Sequence, residues 1–263
     1  MRGKRAACLQ HSEPNKGLEL TASSVRACLA PASSSSSGVA LGGLSFLTYV
    51  TRRVHMAFID TIPVDQATGD VQAMYTRSQS ELGYVSNFSK VFSHRPHVMA
   101  AWRELLASIR RSLDPRRYEL VTLAAARALR SSYCMLAHGT VLRQHFYSAT
   151  QLQSIADDFT VADLAPADIA MMQFAERIVR DATAITPADV QTLRAHGFTD
   201  PEIFDIAAAA AARCFFSKLL DALGAEPDAT YAQLEADLRQ TLVVGRAISA
   251  TGDEQVQPNS GGG

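Results

Sequence analysis

The sequence has no long hydrophobic segment and little charge imbalance. Its longest apolar stretch, residues 38–50, spans thirteen residues and contains three glycines, whereas a helix needs about 20 apolar residues to cross a bilayer. The formal net charge is −1, which gives no basis for a nucleic acid or an anionic membrane surface as partner. We therefore expect a protein that binds neither nucleic acid nor membrane.

Cysteine is also scarce. Two of the four cysteines, Cys8 and Cys28, lie near the N-terminus, which leaves Cys134 and Cys214 for the rest of the chain. This is not a disulfide framework, and we expect a cytoplasmic location. No CxxC or HxxxH motif completes a metal site, and no phosphate loop, GxSxG or dinucleotide motif occurs. No metal and no cofactor are expected.

Composition divides the chain into three parts. Residues 1–55 hold seven Lys or Arg, two Asp or Glu and a run of five serines. They are expected to be a disordered leader, or to reflect a mis-assigned start with Met56 as the true initiator; a targeting peptide and a folded subdomain are the alternatives. Residues 56–245 are expected to form one helical domain, and the polar, glycine-rich residues 246–263 a disordered tail.

The central part has the periodicity and punctuation of helices. Caps followed by proline predict helix starts at Asp114–Pro115, Ala165–Pro166, Thr186–Pro187 and Thr199–Asp200–Pro201. Gly197 and Gly224 indicate helix ends, and no alternation of period two appears. The predicted fold class is all-α.

Two alanine-rich runs, at 117–134 and 201–216, share an acidic start and a cysteine near the end. This favours a fold built from two related helical units. The alternative is that both runs arose independently because alanine permits helices to pack closely.

The residues best suited to chemistry lie between Glu119 and His145. Cys134 and His138 are four residues apart, so a helix places them on one face, one turn from each other. Cys134 follows the break at Ser131–Ser132 and so lies in a first helical turn, where the helix dipole favours a thiolate. A tight turn between two helices would bring Glu119 to this pair and form an activated nucleophile. Two hydroxyls could donate hydrogen bonds nearby, those of Tyr118 and Tyr133.

Each of these residues also has a structural interpretation. Cys134 can be a small buried hydrophobe, His138 a core or surface histidine, and Glu119 an acidic residue in the first turn of its helix, where the dipole stabilises it. Ser131 can be a helix cap. Cys214 can be a core residue, although it could resolve an oxidised Cys134 if the two lie close together.

The spacing resembles that of the AhpD-like superfamily, which includes the carboxymuconolactone decarboxylase domain and peroxidase-related proteins. Redox members carry a glutamate, then after eleven residues a Cys-x-x-Cys, and a histidine four residues beyond the second cysteine. Here Cys134 matches the second cysteine and Ser131 stands in place of the first, so the pair cannot close a disulfide. The resemblance covers roughly residues 58–242 and is strongest at 116–147 and again at 213–228.

The resemblance implies an AhpD-like helical fold, a homo-oligomer and an alkylhydroperoxidase-like thiol peroxidase. Glu119 and His138 would deprotonate Cys134, and the thiolate would attack a hydroperoxide substrate. Because Ser131 is not a thiol, an external thiol reductant or Cys214 would complete the cycle.

Two alternatives stay open. In a carboxymuconolactone decarboxylase-type lyase, Glu119 and His138 would act as acid and base around a bound carboxylate. Three arginines could bind the acidic substrate: Arg127, Arg130 and Arg143. In the other alternative the chain is a non-enzymatic helical oligomer with a decayed redox pair, which the serine at position 131 favours.

Overall fold

The computed structural model describes residues 56–255; residues 1–55, for which the sequence predicts a disordered leader or a mis-assigned start, and residues 256–263 lie outside this range. The described residues contain helices and no strand, which confirms the all-α prediction. The α-helices are α1 Gly69–Leu82, α2 Asn87–Val91, α3 Pro96–Arg110, α4 Pro115–Leu129, α5 Ser132–His145, α6 Ala149–Asp158, α7 Pro166–Asp181, α8 Pro187–Ala195, α9 Asp200–Ala222 and α10 Ala236–Leu242. None of the helices within 56–255 has the length and apolarity to span a bilayer.

Helices α4, α7, α8 and α9 begin where the cap and proline signals predict. At the start of α4 the Asp114 carboxylate accepts a hydrogen bond from the Arg117 backbone N–H at 2.9 Å, with Pro115 as the first helical residue. Gly197 and Gly224 follow α8 and α9 with φ of +88° and +76°. Glycine adopts this left-handed conformation without steric cost, and so it ends helices.

Helix α4 lies at the centre of the fold. Its residues 118–126 are all buried, and it packs against α5, α7 and α9. A helix that is buried on every side is a core helix. Arg130 in the left-handed region, with φ of 56°, and an extended Ser131 turn the chain from α4 into α5. The predicted tight turn between these two helices is therefore confirmed.

The two alanine-rich runs differ in structure. The run at 117–134 is interrupted by the turn at Arg130, whereas the run at 201–216 lies within the single helix α9. The two runs meet, because α4 and α9 pack against each other. Their origin from a repeated helical unit stays a prediction.

The segment after α10 passes the N-terminal end of α5. The Gly245 N–H donates to Ser132 Oγ at 2.8 Å, and the Ser249 N–H donates to the carbonyl of Pro227 at 2.8 Å. The Asp253 carboxylate accepts two backbone N–H groups, both at 2.9 Å, from Ala229 and Thr230. Residues 246–255, which the sequence places in a disordered tail, thus make hydrogen bonds to the helical domain.

Candidate functional site

Cys134 is the third residue of α5 and is only 1% exposed. Its sulfur receives two hydrogen bonds from α9, one from Ser217 Oγ at 3.0 Å and one from Arg213 Nη1 at 3.6 Å. Arg213 and Ser217 are four residues apart and therefore lie on one face of α9. The position in the first turn of α5, predicted from the sequence, is confirmed. A helix N-terminus and a neighbouring arginine both favour a thiolate.

Glu119 on α4 and His138 on α5 form a close pair. His138 Nδ1 lies 2.5 Å from Glu119 Oε2, and both side chains are largely buried. Burial would raise the pKa of Glu119, but the charge of His138 and its hydrogen bond lower that pKa below its usual value. Burial and the charge of Arg213 lower the pKa of His138, although Glu119 opposes them. A neutral imidazole that donates from Nδ1 keeps Nε2 as a proton acceptor.

The prediction that Glu119 lies in the first turn of its helix is wrong. Helix α4 begins four residues earlier, at Pro115, and the side chain of Glu119 is buried against α5 instead of lying at the helix end. The helix dipole therefore does not account for this carboxylate, whose close partner is His138.

Arg213 connects the two parts of the site. It is 3% exposed, and its guanidinium carbon lies 6.0 Å from the ring centre of Trp102 and 5.7 Å from that of Phe216. Burial would lower the pKa of Arg213, but its interactions with Cys134, Tyr118 and Glu119 raise it. Its Nε is buried and has no hydrogen-bond partner among residues 56–255.

No sequence motif predicted Arg213 or Ser217 as a residue of the site. A signal was present, because Arg213 is a charged residue between six alanines and a Cys-Phe-Phe sequence. It also begins the segment 213–228, where the family resemblance is strong. Charged residues are seldom fully buried unless they have a partner, so an arginine in an apolar helix indicates a specific contact.

The two tyrosines near the site have different surroundings. The ring of Tyr118 meets that of His138 edge-on, with 6.3 Å between centres. Tyr133, in contrast, donates its hydroxyl to Asp228 at 2.6 Å. The expectation that Tyr133 donates a hydrogen bond near Glu119 and His138 is wrong, because Asp228 accepts that bond.

Among residues 56–255 the hydrogen-bond donors to the sulfur of Cys134 are Arg213 and Ser217, and not Ser131 or Cys214. Ser131 occupies the N-cap position, but its side chain makes no capping hydrogen bond, so the capping prediction is wrong for this hydroxyl; it lies beside Asp221. Cys214 follows Arg213 on α9, about 100° further around the helix. Cys134 and Cys214 are both free thiols, and burial raises the pKa of Cys214.

The three arginines that could bind an acidic substrate lie outside the site around Cys134. Arg127 pairs with Glu176 at 3.2 Å, Arg143 pairs with Glu235 at 2.6 Å, and Arg130 is exposed beyond the end of α4. Carboxylates already pair with two of them, and substrate binding by these arginines stays a prediction. The buried arginine of the site lies on α9 instead.

Comparisons with known proteins agree with this architecture. Residues 96–177 match the carboxymuconolactone decarboxylase family. An uncharacterised peroxidase-related protein with an alkylhydroperoxidase AhpD core, from Ralstonia eutropha JMP134, is 24% identical with a TM-score of 0.62; the match covers 67% of this chain and 95% of that one. A peroxidase-related protein from Silicibacter sp. TM1040 is also 24% identical, with a TM-score of 0.63 and 70% and 98% coverage.

A third similar structure is the debrominase Bmp8 in complex with 2,3,4-tribromopyrrole, at 16% identity and a TM-score of 0.55, covering 70% of this chain and 95% of that one. No curated protein matches the chain. The resemblance predicted from the spacing of Glu119, Cys134 and His138 is confirmed. The chain has the AhpD-like helical fold, and its residues 96–177, which hold these three residues, match the carboxymuconolactone decarboxylase family.

Proposed function

We propose that the chain is a thiol peroxidase in which Cys134 attacks a hydroperoxide. The observation that carries this proposal is the 2.5 Å hydrogen bond between Glu119 and His138. His138 lies one turn after the buried Cys134 on α5. A carboxylate that orients a histidine four residues from a cysteine on the same helix face supports an activated nucleophile. The likeness to peroxidase-related proteins supports an activity of this class.

In the proposed reaction the imidazole of His138 accepts the proton of Cys134, while its Nδ1–H stays hydrogen bonded to Glu119. The thiolate attacks the terminal oxygen of the hydroperoxide, so a sulfur–oxygen bond forms as the oxygen–oxygen bond breaks. The sulfur loses two electrons and becomes a sulfenic acid. The leaving oxygen takes the proton from His138 and departs as an alcohol, or as water when the substrate is hydrogen peroxide.

The sulfenic acid needs a reductant from outside the site, because Ser131 is not a thiol. One external thiol displaces water and forms a mixed disulfide with Cys134; a second thiol releases Cys134 and leaves as a disulfide. The 1% exposure of Cys134 favours a small thiol over a bulky protein dithiol. Cys214 is the internal candidate for this step, and its raised pKa makes it a poor nucleophile at neutral pH.

The first experiment is hydroperoxide turnover with dithiothreitol as the reductant. We expect Cys134→Ser to reduce the rate to the uncatalysed background, because the attacking atom is lost. Cys214→Ser is the matched control, and we expect it to keep most of the rate. Turnover that survives in Cys134→Ser would refute the peroxidase.

A decarboxylase is the second candidate, supported by the family match over residues 96–177. Glu119 and His138 would then act as acid and base, with Arg213 near the carboxylate of a lactone substrate. Such a reaction needs no thiol, so Cys134→Ser would keep the ultraviolet loss of carboxymuconolactone. If the chain shows neither the peroxidase nor the decarboxylase activity, that result favours the non-enzymatic oligomer.

We also propose a homo-oligomer in the cytoplasm. Its support is the apolar outer face of α9, where Phe204 is 72% exposed and Phe215 is 47% exposed. Exposed apolar groups of this size are typical of subunit contacts. Light scattering would give the mass in solution.

A further inference from the structure

We propose that Arg213 and Ser217 are the anion-holding half of the site. They stabilise the thiolate that Cys134 forms when its proton passes to His138, and the free Nε–H of Arg213 binds an oxygen of the hydroperoxide. The second role rests on the proposed function, whereas the first does not. In both roles the two residues donate hydrogen bonds and neither loses a proton or an electron.

The burial of Arg213 requires a negative partner. A guanidinium is always charged in proteins, and its desolvation costs several kcal/mol unless an anion faces it. Arg213 donates to the sulfur of Cys134 at 3.6 Å, while the neighbouring carboxylate of Glu119 is hydrogen bonded to His138. A neutral thiol would leave this guanidinium without an anion in direct contact. A thiolate at Cys134 supplies that anion.

Ser217 is the second donor to the same sulfur. Its hydroxyl is fully buried and lies 3.0 Å from Cys134 Sγ. A hydroxyl that donates to an anion makes a charge-assisted hydrogen bond, which is about twice as strong as a neutral one. Because α9 carries Ser217 one turn after Arg213, one rigid helix face holds both donors in place.

The Nε–H of Arg213 remains for the substrate. It has no hydrogen-bond partner in the described part of the chain, and a buried donor without an acceptor is unfavourable. The flanking rings of Trp102 and Phe216 offer it no acceptor, and the Tyr118 hydroxyl, which interacts with the guanidinium, is not a hydrogen-bond partner of the Nε. A hydroperoxide that approaches the sulfur brings an oxygen close to this guanidinium. A donor there stabilises the negative charge that develops as the oxygen–oxygen bond breaks.

The thiolate can be measured without any reactivity, by its absorbance near 240 nm in the full chain against Cys134→Ser at each pH. We expect a thiolate signal at pH 7 that Arg213→Gln reduces about tenfold and Ser217→Ala about threefold. Arg246→Gln is the matched control. Its guanidinium also has a buried Nε without an acceptor within 56–255 and lies 4.9 Å from the ring centre of Phe58. The control should keep the full signal.

An undiminished thiolate signal in Arg213→Gln, or an equal loss in Arg246→Gln, would overturn the proposal. Circular dichroism checks that each variant folds. If Arg213→Gln does not fold, Arg213→Lys replaces it. A lysine keeps the charge but lacks the Nε–H, so we expect the thiolate signal to remain and the hydroperoxide rate constant to fall about tenfold.

The hydroperoxide rate constants separate this proposal from the proposed function. If Arg213→Gln removes the thiolate but the unaltered chain consumes no hydroperoxide, the anion-holding role stands and the peroxidase is rejected. If the unaltered chain and Arg213→Gln consume hydroperoxide equally fast, the peroxidase stands and the role of Arg213 falls.

Discussion

In the proposed mechanism Glu119 acts on Cys134 only through His138, which makes it a positioning residue with a testable signature. Glu119→Gln keeps the size of the side chain and removes its charge. Because the charge of Glu119 raises the pKa of His138, the variant should have a histidine pKa that is lower still. The acid limb of the kcat/KM profile for hydroperoxide should therefore move to lower pH. The plateau should fall roughly tenfold, because the imidazole loses its orientation.

A role in packing alone would lower the rate without moving the acid limb. The exposed Asp237 at the start of α10 provides the matched control, since Asp237→Asn also removes one negative charge from a helix. An acid limb that moves to higher pH in Glu119→Gln would contradict the relay.

Three of the five site residues could be predicted from the sequence. Glu119, Cys134 and His138 lie within twenty residues on two consecutive helices, so their spacing alone brings them together once a tight turn is assumed. Arg213 and Ser217 are 79 and 83 residues from Cys134. Helical periodicity indicates which face of α9 is apolar, but it does not show which helix that face meets.

At the scale of elements, the helix starts were predictable because caps and prolines act locally. The path of the chain after α10 was not, since it depends on backbone N–H groups that bond to distant residues. Gly245 is the clearest case: its N–H bonds to Ser132, and its Cα lies so close to the turn between α4 and α5 that a Cβ would be 2.2 Å from the carbonyl oxygen of Arg130.

Gly245→Ala should therefore displace this segment from the start of α5. We expect a loss of about 1–3 kcal/mol in the free energy of unfolding, as for other substitutions that overfill a packed site. Gly252→Ala is the control in the same segment, because a Cβ there meets nothing within 4 Å; it should change stability by less than about 0.5 kcal/mol. Equal urea midpoints and slopes for the two variants would show that Gly245 is not packed as described.

At the scale of the whole molecule, a buried carboxylate joins three distant parts of the chain. Asp228 accepts hydrogen bonds from the Asn87 N–H at 2.6 Å, from Tyr133 at 2.6 Å and from Tyr84 at 3.3 Å. Burial raises the pKa of Asp228 to about 6, although the bonds from Asn87 and Tyr133 lower it. This network ties the loop after α9 to α5 and to the start of α2.

The raised pKa predicts how stability depends on pH. Between the unfolded value of 3.8 and the folded value of about 6, the folded chain holds a proton on Asp228 that the unfolded chain has released. The contribution of this group is thus complete below pH 3.8 and is lost as the pH rises through 6. Relative to Asp228→Asn, the unaltered chain should lose on the order of 3 kcal/mol between pH 4 and 7.

Urea unfolding of both chains at pH 4, 5, 6 and 7 measures this difference. Glu119 and His138 have lowered pKa values and contribute with the opposite sign, but they are present in both chains and cancel in the comparison. A difference that stays constant, or that grows in favour of the unaltered chain as the pH rises, would contradict the assignment.

The central claim is that the sulfur of Cys134 is the atom that reduces hydroperoxides. The most direct measurement is the mass of the Cys134 peptide after one equivalent of hydroperoxide in the presence of dimedone, which traps sulfenic acids. We expect a dimedone adduct on Cys134, little on Cys214, and a slower adduct in His138→Asn. An unmodified Cys134, or an adduct that forms only on Cys214, would contradict the account.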